Sequence, residues 1–410
     1  MTAAVRFARK RLDVTALDLA YGLLRCALPS RRRGTLARVA AQWEPPEAVV
    51  VCLSVRSGWD LLLGSVDWPA GSEVLMSAVS IPHLARLVRE HGYVPVPVDL
   101  DPRTLELDPD EVRAACTPRT RALLYAHLLG ARSDVAALAE VTASSGLLLV
   151  DDRAQAYDGT DRRLGPHADV AMYSFGTIKT ASCLGGGVLL VRDPRLRARL
   201  RARQHDWPRQ SRRAYAAKLG TGVGLLTLAS PHSYPTFVRL ADALTGDHDG
   251  LVRRLSRGYP DADLLRQLRR QPSDPLLAVL ARRLQHYDPA GVRRRAHAGA
   301  VLAAALDPAV TRLGAGSRRP TAWLFPVVSD DPAALVAAGR AAGFDLTCGS
   351  STLVALDARC DRAHRAMAGV VYLPAYEGIA EGELLRLASV VNAGERLARA
   401  VPSDPRPAAG

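Results

Sequence analysis

Short apolar, β-branched runs alternate with amphipathic stretches through the first half of the chain. Ala48-Val49-Val50-Val51-Cys52-Leu53 is apolar throughout, as in a strand buried on both faces. The run breaks at Ser57-Gly58, and the pattern turns helical from Trp59. Residues 73–76 read as the next strand and 82–91 as a helix. Val94-Pro95-Val96-Pro97-Val98 reads as a strand whose prolines place it at an edge or a strand end. Residues 109–115 are helical, 121–127 a strand, 133–145 a helix and 147–150 a buried strand ending in Asp151-Asp152; strands at 169–174 and 187–191 complete the series. This alternation predicts an α/β fold, a mainly parallel sheet flanked by helices. In such sheets ligands bind beyond the carboxyl ends of the strands.

Residues 1–48 read as an N-terminal helical segment and 193–300 as mostly helical and arginine-rich. Within the latter, 219–238 carries no charged residue, and its two prolines and three glycines argue against a single spanning helix. A buried or subunit-interface segment is expected there, with a lid or membrane-touching element as the alternative. From 321, a strand (322–328), a helix (332–342), a strand (370–374) and a long amphipathic helix (381–399) predict a small α+β domain. The organisation expected is an N-terminal segment 1–48, a large domain 49–300, a small domain 301–400 and a disordered tail 401–410.

The 410 residues are 48% apolar and 23% charged, an ordinary globular composition. The formal net charge is +13, and all but three of the 54 basic residues are arginine. The lysines are Lys10, Lys179 and Lys218. The arginines are scattered and aromatics are 5%, so no nucleic-acid partner is expected; the charge favours anionic small molecules. The six cysteines show no C-x-x-C spacing. No metal site or disulfide framework is expected, and a reducing cytoplasm is the simplest setting. Basic and acidic residues between positions 6 and 13 interrupt any signal-peptide core, and neither a bilayer span nor other membrane contact is expected.

Three strand ends carry candidate chemistry. In Val150-Asp151-Asp152-Arg153-Ala154-Gln155 a carboxylate follows a buried strand, placed either to cap a turn or to point into a cleft. In Tyr173-Ser174-Phe175-Gly176-Thr177-Ile178-Lys179 a lysine stands in a chain that otherwise uses arginine. A desolvated lysine forms a Schiff base or loses its proton near neutrality, and arginine does neither. Arg56-Ser57-Gly58-Trp59-Asp60 is a strand–turn–helix junction whose free amides suit a phosphate.

Together these segments resemble the fold-type I pyridoxal-phosphate enzymes, specifically the DegT/DnrJ/EryC1/StrS group of sugar aminotransferases. The resemblance runs from about 49 to 192 and resumes weakly from about 272 to 398. It is carried by VPVDLDPRTLELDPDEVRAACTPRTRALLYAHLLG (94–130), LLLVDDRAQAYDG (147–159), YSFGTIKT with LGGGVLLV (173–191) and GVVYLPAYEGIAEGELLRLASVV (369–391).

The resemblance implies a large domain with a mainly parallel sheet plus a small C-terminal domain, pyridoxal 5'-phosphate as cofactor, and a homodimer. It implies that Lys179 holds the cofactor as a Schiff base and moves protons, and that Asp152 pairs with the pyridine nitrogen. Gln155 is then expected at the phenolic oxygen and Ser174 at the phosphate, with the amides of Gly58, Trp59 and Asp60 completing the phosphate cradle.

The chain departs from the pattern in several places. Trp59 stands where a threonine is usual, and the ring-stacking aromatic falls at Ile81, with His83 the alternative platform. Arg153 replaces a small residue and is expected to read an anionic substrate group. The loop that reaches a partner's phosphate is missing. Arg269 or Arg270 lies near its place, after an insertion at about 207–268.

The activity implied is transfer of an amino group from an amino acid such as glutamate to a keto group on a nucleotide-linked sugar or a secondary metabolite. Another PLP reaction on the same scaffold (elimination, substitution or carbon–carbon bond formation) and a non-catalytic regulatory protein are the alternatives.

Overall fold

The computed structural model describes residues 4–400 apart from 30, 257, 258, 260, 261, 350 and 351. The predicted tail 401–410 lies outside the described residues. Seven strands form the central sheet: β1 (Val49–Cys52), β2 (Glu73–Ser77), β3 (Val94–Val98), β4 (Thr120–Ala126), β5 (Leu148–Asp152), β6 (Val170–Ser174) and β7 (Gly187–Val191). Their order is β1-β7-β6-β5-β4-β2-β3. From β3 through β6 the neighbours are parallel; β7 runs antiparallel to both β6 and β1. The proline-bearing β3 is an edge strand, where a missing N–H breaks no ladder.

Every residue of β1, β2, β6 and β7 is buried; β1 and β7 are apolar throughout, while β2 begins at Glu73 and ends at Ser77 and β6 ends at Ser174. Alternate side chains enter different cores. Leu75, Leu123 and Leu149 pack on one side of the sheet with Val112 and Val141, from helices Pro109–Ala115 and Ala136–Ser144. Met76, Leu124 and Val150 pack on the other with Leu61 and Leu87, from helices Val55–Leu63 and Pro82–Glu90. The period of two along each strand thereby builds both layers.

A second sheet of β8 (Thr311–Arg312), β9 (Phe325–Val328) and β10 (Val370–Leu373) is antiparallel, with β9 in the middle. It shares a core with helices Ala290–Ala305, Pro332–Ala341 and Glu381–Ala400, through Leu302, Leu335 and Leu387.

The insertion is helical, as expected: Arg212–Leu228, Tyr234–Thr245, His248–Ser256 and Leu264–Leu268. The uncharged stretch 219–238 falls across the first two of these helices rather than in one element. Leu219 and Gly222 are buried, and Gly222 faces Leu184 and Leu19. A buried polar cluster ties the insertion down. Asp345 accepts two hydrogen bonds from Arg9, at 2.7 and 3.0 Å, and one from Tyr234, while His248 Nε2 lies 3.4 Å from it. One carboxylate thus joins the N-terminal segment, the insertion and the C-terminal part of the chain. No helix among the described residues is long and apolar enough to cross a membrane.

Candidate active site

A cavity of about 270 Å³ opens at the carboxyl ends of the strands, where the topology places ligands. Lys179, Asp152, Gln155 and Ser174 all line it.

Asp152 ends β5 and is buried; its Oδ1 accepts from the Ala154 amide at 2.9 Å, so it caps the turn and faces the cavity at once. Burial raises its pKa, and the neighbouring Asp151 charge adds to that, against the pull of the Ala154 N–H and of Lys179. Lys179 follows β6 in a turn closed by its own amide on the Gly176 carbonyl at 3.0 Å. Its Nζ lies 3.9 Å from the centre of the Trp323 ring, and the Trp323 indole N–H donates to the Ile178 carbonyl at 2.8 Å. Burial pushes the Lys179 pKa down, Asp152 opposes this, and the Arg56 charge lowers it further. A lysine held this way is a nucleophile near neutral pH. Gln155 Oε1 accepts from the Leu129 amide at 3.0 Å, which fixes its rotamer.

The phosphate end differs from the expectation. Helix Val55–Leu63 starts earlier than the sequence pattern implies, because Ser54 is its N-cap: Ser54 Oγ accepts from the Ser57 amide at 3.1 Å. The Gly58 amide already bonds the Ser54 carbonyl at 3.0 Å, and Trp59 and Asp60 lie deeper in the helix. The cradle expected at Gly58, Trp59 and Asp60 therefore moves to the turn Ser54, Val55 and Arg56, whose residues line the cavity. The amides of Val55 and Arg56 make no described hydrogen bond, as the first turn of a helix requires unless a ligand or water supplies acceptors.

Gly58 serves packing: a Cβ there would sit 2.3 Å from Leu189 Cδ1 of β7. At Gly187 a Cβ would sit 2.6 Å from the Ser54 carbonyl carbon, so that glycine lets β7 run against the turn. Trp59 is fully buried and donates to the Leu84 carbonyl at 3.2 Å. Asp60 is buried against His91 Nε2 at 2.9 Å and the Arg269 guanidinium at 3.0 and 3.1 Å. A carboxylate there would repel a phosphate rather than hold one.

Other expectations are also corrected. Ile81 lines the cavity and His83 does not; the His83 Nδ1 stands 3.3 Å from an Arg56 nitrogen. Arg269 is engaged by Asp60, and neither it nor Arg270 lines this chain's own cavity; the expectation that one of them reaches a partner's phosphate is a matter for the assembled dimer. Arg153 points behind the site, not into it. Its guanidinium bonds Asp151 at 2.7 Å and also bonds Asp161, and it lies 3.2 Å from the Tyr173 hydroxyl. Asp151 is fully buried, with His127 Nε2 at 2.7 Å. Burial alone would raise its pKa, but His127 and Arg153 hold it down to about 2. The site's second aspartate is thus a neutralised support under the first.

Sequence reasoning assigned no role to Arg56, Lys218, Tyr259 and Trp323, which all line the cavity. Arg56 and Lys218 lie over the Tyr259 ring, at 5.2 and 5.3 Å from its centre. Among the described residues no carboxylate pairs with Arg56, and burial lowers its pKa. The scarcity of lysine that singled out Lys179 applied equally to Lys218. The insertion that carries Lys218 and Tyr259 is a wall of the cavity.

The residues present fit a phosphorylated pyridine aldehyde. A desolvated amine faces the cavity, a buried carboxylate lines it, and unpartnered amides beside a serine and an arginine form an anion seat. Fold and cavity together define a fold-type I pyridoxal-phosphate transferase architecture. The model of the DegT/DnrJ/EryC1/StrS aminotransferase family matches residues 36–231.

A dTDP-3-amino-3,4,6-trideoxy-alpha-D-glucose transaminase of Streptomyces venezuelae is 38% identical over 183 residues, which are 43% of this chain and 47% of that protein. The chain spans about half the length of such curated relatives. Among solved structures, an aminotransferase, TlmJ, from Streptoalloteichus hindustanus aligns with a TM-score of 0.68 at 20% identity, covering 98% of this chain and 100% of that one. DesV of S. venezuelae, in complex with a ketimine intermediate, aligns at 0.65 and 24% identity, over 94% and 95% of the two chains. At these identities the structural likeness is one of fold.

Proposed function

We propose that this chain is a pyridoxal 5'-phosphate-dependent aminotransferase. It would move an amino group from an amino acid, glutamate by preference, to a keto group of a sugar nucleotide or a secondary metabolite, as a cytoplasmic homodimer. The observation that carries this reading is the convergence of Lys179, Asp152, Gln155 and Ser174 on one cavity with the Ser54–Arg56 turn. The cofactor supplies an electron sink that stabilises negative charge at the donor's Cα.

The chain's residues do the rest. Lys179 Nζ, its proton affinity lowered by burial, would hold the cofactor covalently and, once the donor's amino group has displaced it, would stand free to take the proton from Cα of the donor. Asp152 keeps a proton on the ring nitrogen, and the low dielectric around it strengthens that pair. His127 and Arg153 neutralise Asp151, so that the second buried charge does not compete. Gln155, anchored on Leu129, orients the ring oxygen, and Ser174, Arg56 and the Val55 and Arg56 amides seat the phosphate. Trp323 sets the swing of the Lys179 amine.

The visible spectrum of the protein with the cofactor, before and after L-glutamate alone, tests the reading. Loss of the long-wavelength band with one equivalent of 2-oxoglutarate released is expected. A band unaffected by glutamate and responsive to other amino acids would favour another reaction on the same scaffold.

A further inference from the structure

A smaller chamber of about 70 Å³ continues the cavity; Ile178, Arg253 and Gly349 line both. Its walls are Leu12 from the N-terminal segment and Leu225, Leu228, Ala229, Phe237 and Val252 from the insertion. Of the polar residues at its border, Arg9 and Tyr234 bond Asp345, and Arg253 pairs with Asp249 at 3.0 Å; Lys10 Nζ lies 3.9 Å from the Trp323 ring centre and is buried with no hydrogen-bond partner among the described residues. Filling the apolar walls of such a chamber with hydrocarbon gains free energy. Arg56 and Lys218 line the main cavity and not this chamber, so the charged parts of a ligand find their counter-charges there and its apolar part here.

We infer that the chamber receives part of the amino acceptor, and that this acceptor carries an apolar alkyl or ring portion beside its keto group. The inference rests on the aminotransferase reading for the word acceptor, but the chamber itself is testable without it. The insertion then has a purpose: it builds a specificity pocket within the same chain, beside Lys179.

Calorimetric titration of the protein with 2-alkanones from 2-pentanone to 2-nonanone tests this, with and without cofactor. Each added methylene is expected to tighten Kd about fourfold until the chamber is full. Ala229→Phe should end the gain at a shorter chain and Leu228→Ala at a longer one, both leaving 2-pentanone binding unchanged. A flat series in the wild-type protein, or variants that weaken every length equally, would overturn the inference. If the cofactor fails to bind while the length dependence holds, the aminotransferase reading falls and the chamber stands.

Discussion

Replacing Arg56 by methionine separates a ligand-binding arginine from a structural one. The guanidinium is desolvated, lies against the Tyr259 ring and His83, and has no carboxylate partner among the described residues. In the cofactor-free protein it is therefore a burden: a buried cation without a counter-charge. Methionine keeps the apolar reach and removes that burden, so the Tm of the cofactor-free variant should equal or exceed that of the wild type.

Cofactor affinity should move the other way. A hydrogen bond to a charged group contributes about 1.5–3 kcal/mol, so loss of the Arg56–phosphate contact should raise the Kd for pyridoxal 5'-phosphate by roughly 10- to 150-fold. Arg56→Lys, which keeps the charge and loses the fork, should fall between. Removing the charge should also raise the Lys179 pKa, shifting the pH at which the coloured adduct forms to higher values. Equilibrium dialysis, thermal denaturation and a spectral pH titration read the three effects. A Kd within twofold of wild type, or a cofactor-free Tm several degrees lower, would refute the phosphate seat argued for this turn.

Lys179→Ala should abolish the yellow, borohydride-reducible adduct while leaving the fold intact; a reducible adduct in that variant would move the covalent role to another lysine, as peptide mapping would show. Arg153→Leu should destabilise by about 3 kcal/mol, since it strips the fully buried Asp151 of a partner; a raised KM with unchanged denaturant midpoint would instead restore Arg153 to the substrate. Asp345 has its pKa lowered from 3.8 to about 2, through His248, Arg9 and Tyr234 against the cost of burial. Its stabilising effect is present above the ordinary carboxylate range and is lost as pH falls toward 2, a loss of about 2 kcal/mol. Asp345→Asn should flatten this part of the acid unfolding curve, and an unaltered curve would show that the cluster contributes nothing.

Much of the fold was legible because its signals are local. Strands buried on both faces favour apolar residues throughout, so β1 and the stretch of β5 before Asp151 stood out as runs. The prolines of β3 announced an edge because a missing donor is tolerated only there. Lys179 and Asp152 were legible because they stand at or just beyond a strand end, and strand ends converge in such a sheet, whereas Gln155 and Ser174 were expected only from the family resemblance.

The tertiary structure decided what depends on partners distant in sequence. Ser57-Gly58 looks like the turn between strand and helix, yet Gly58 packs against Leu189 of β7, and the helix has already begun at Val55. Arg153 beside Asp152 looks like a substrate reader until Asp151 and Asp161 are seen to claim it. The sequence leaves the purpose of the insertion open, and the Arg9–Asp345–Tyr234 cluster shows what ties it back to wall the cavity. Periodicity along a chain reports which face of an element is buried; which residues meet across that burial is settled by packing between segments hundreds of positions apart.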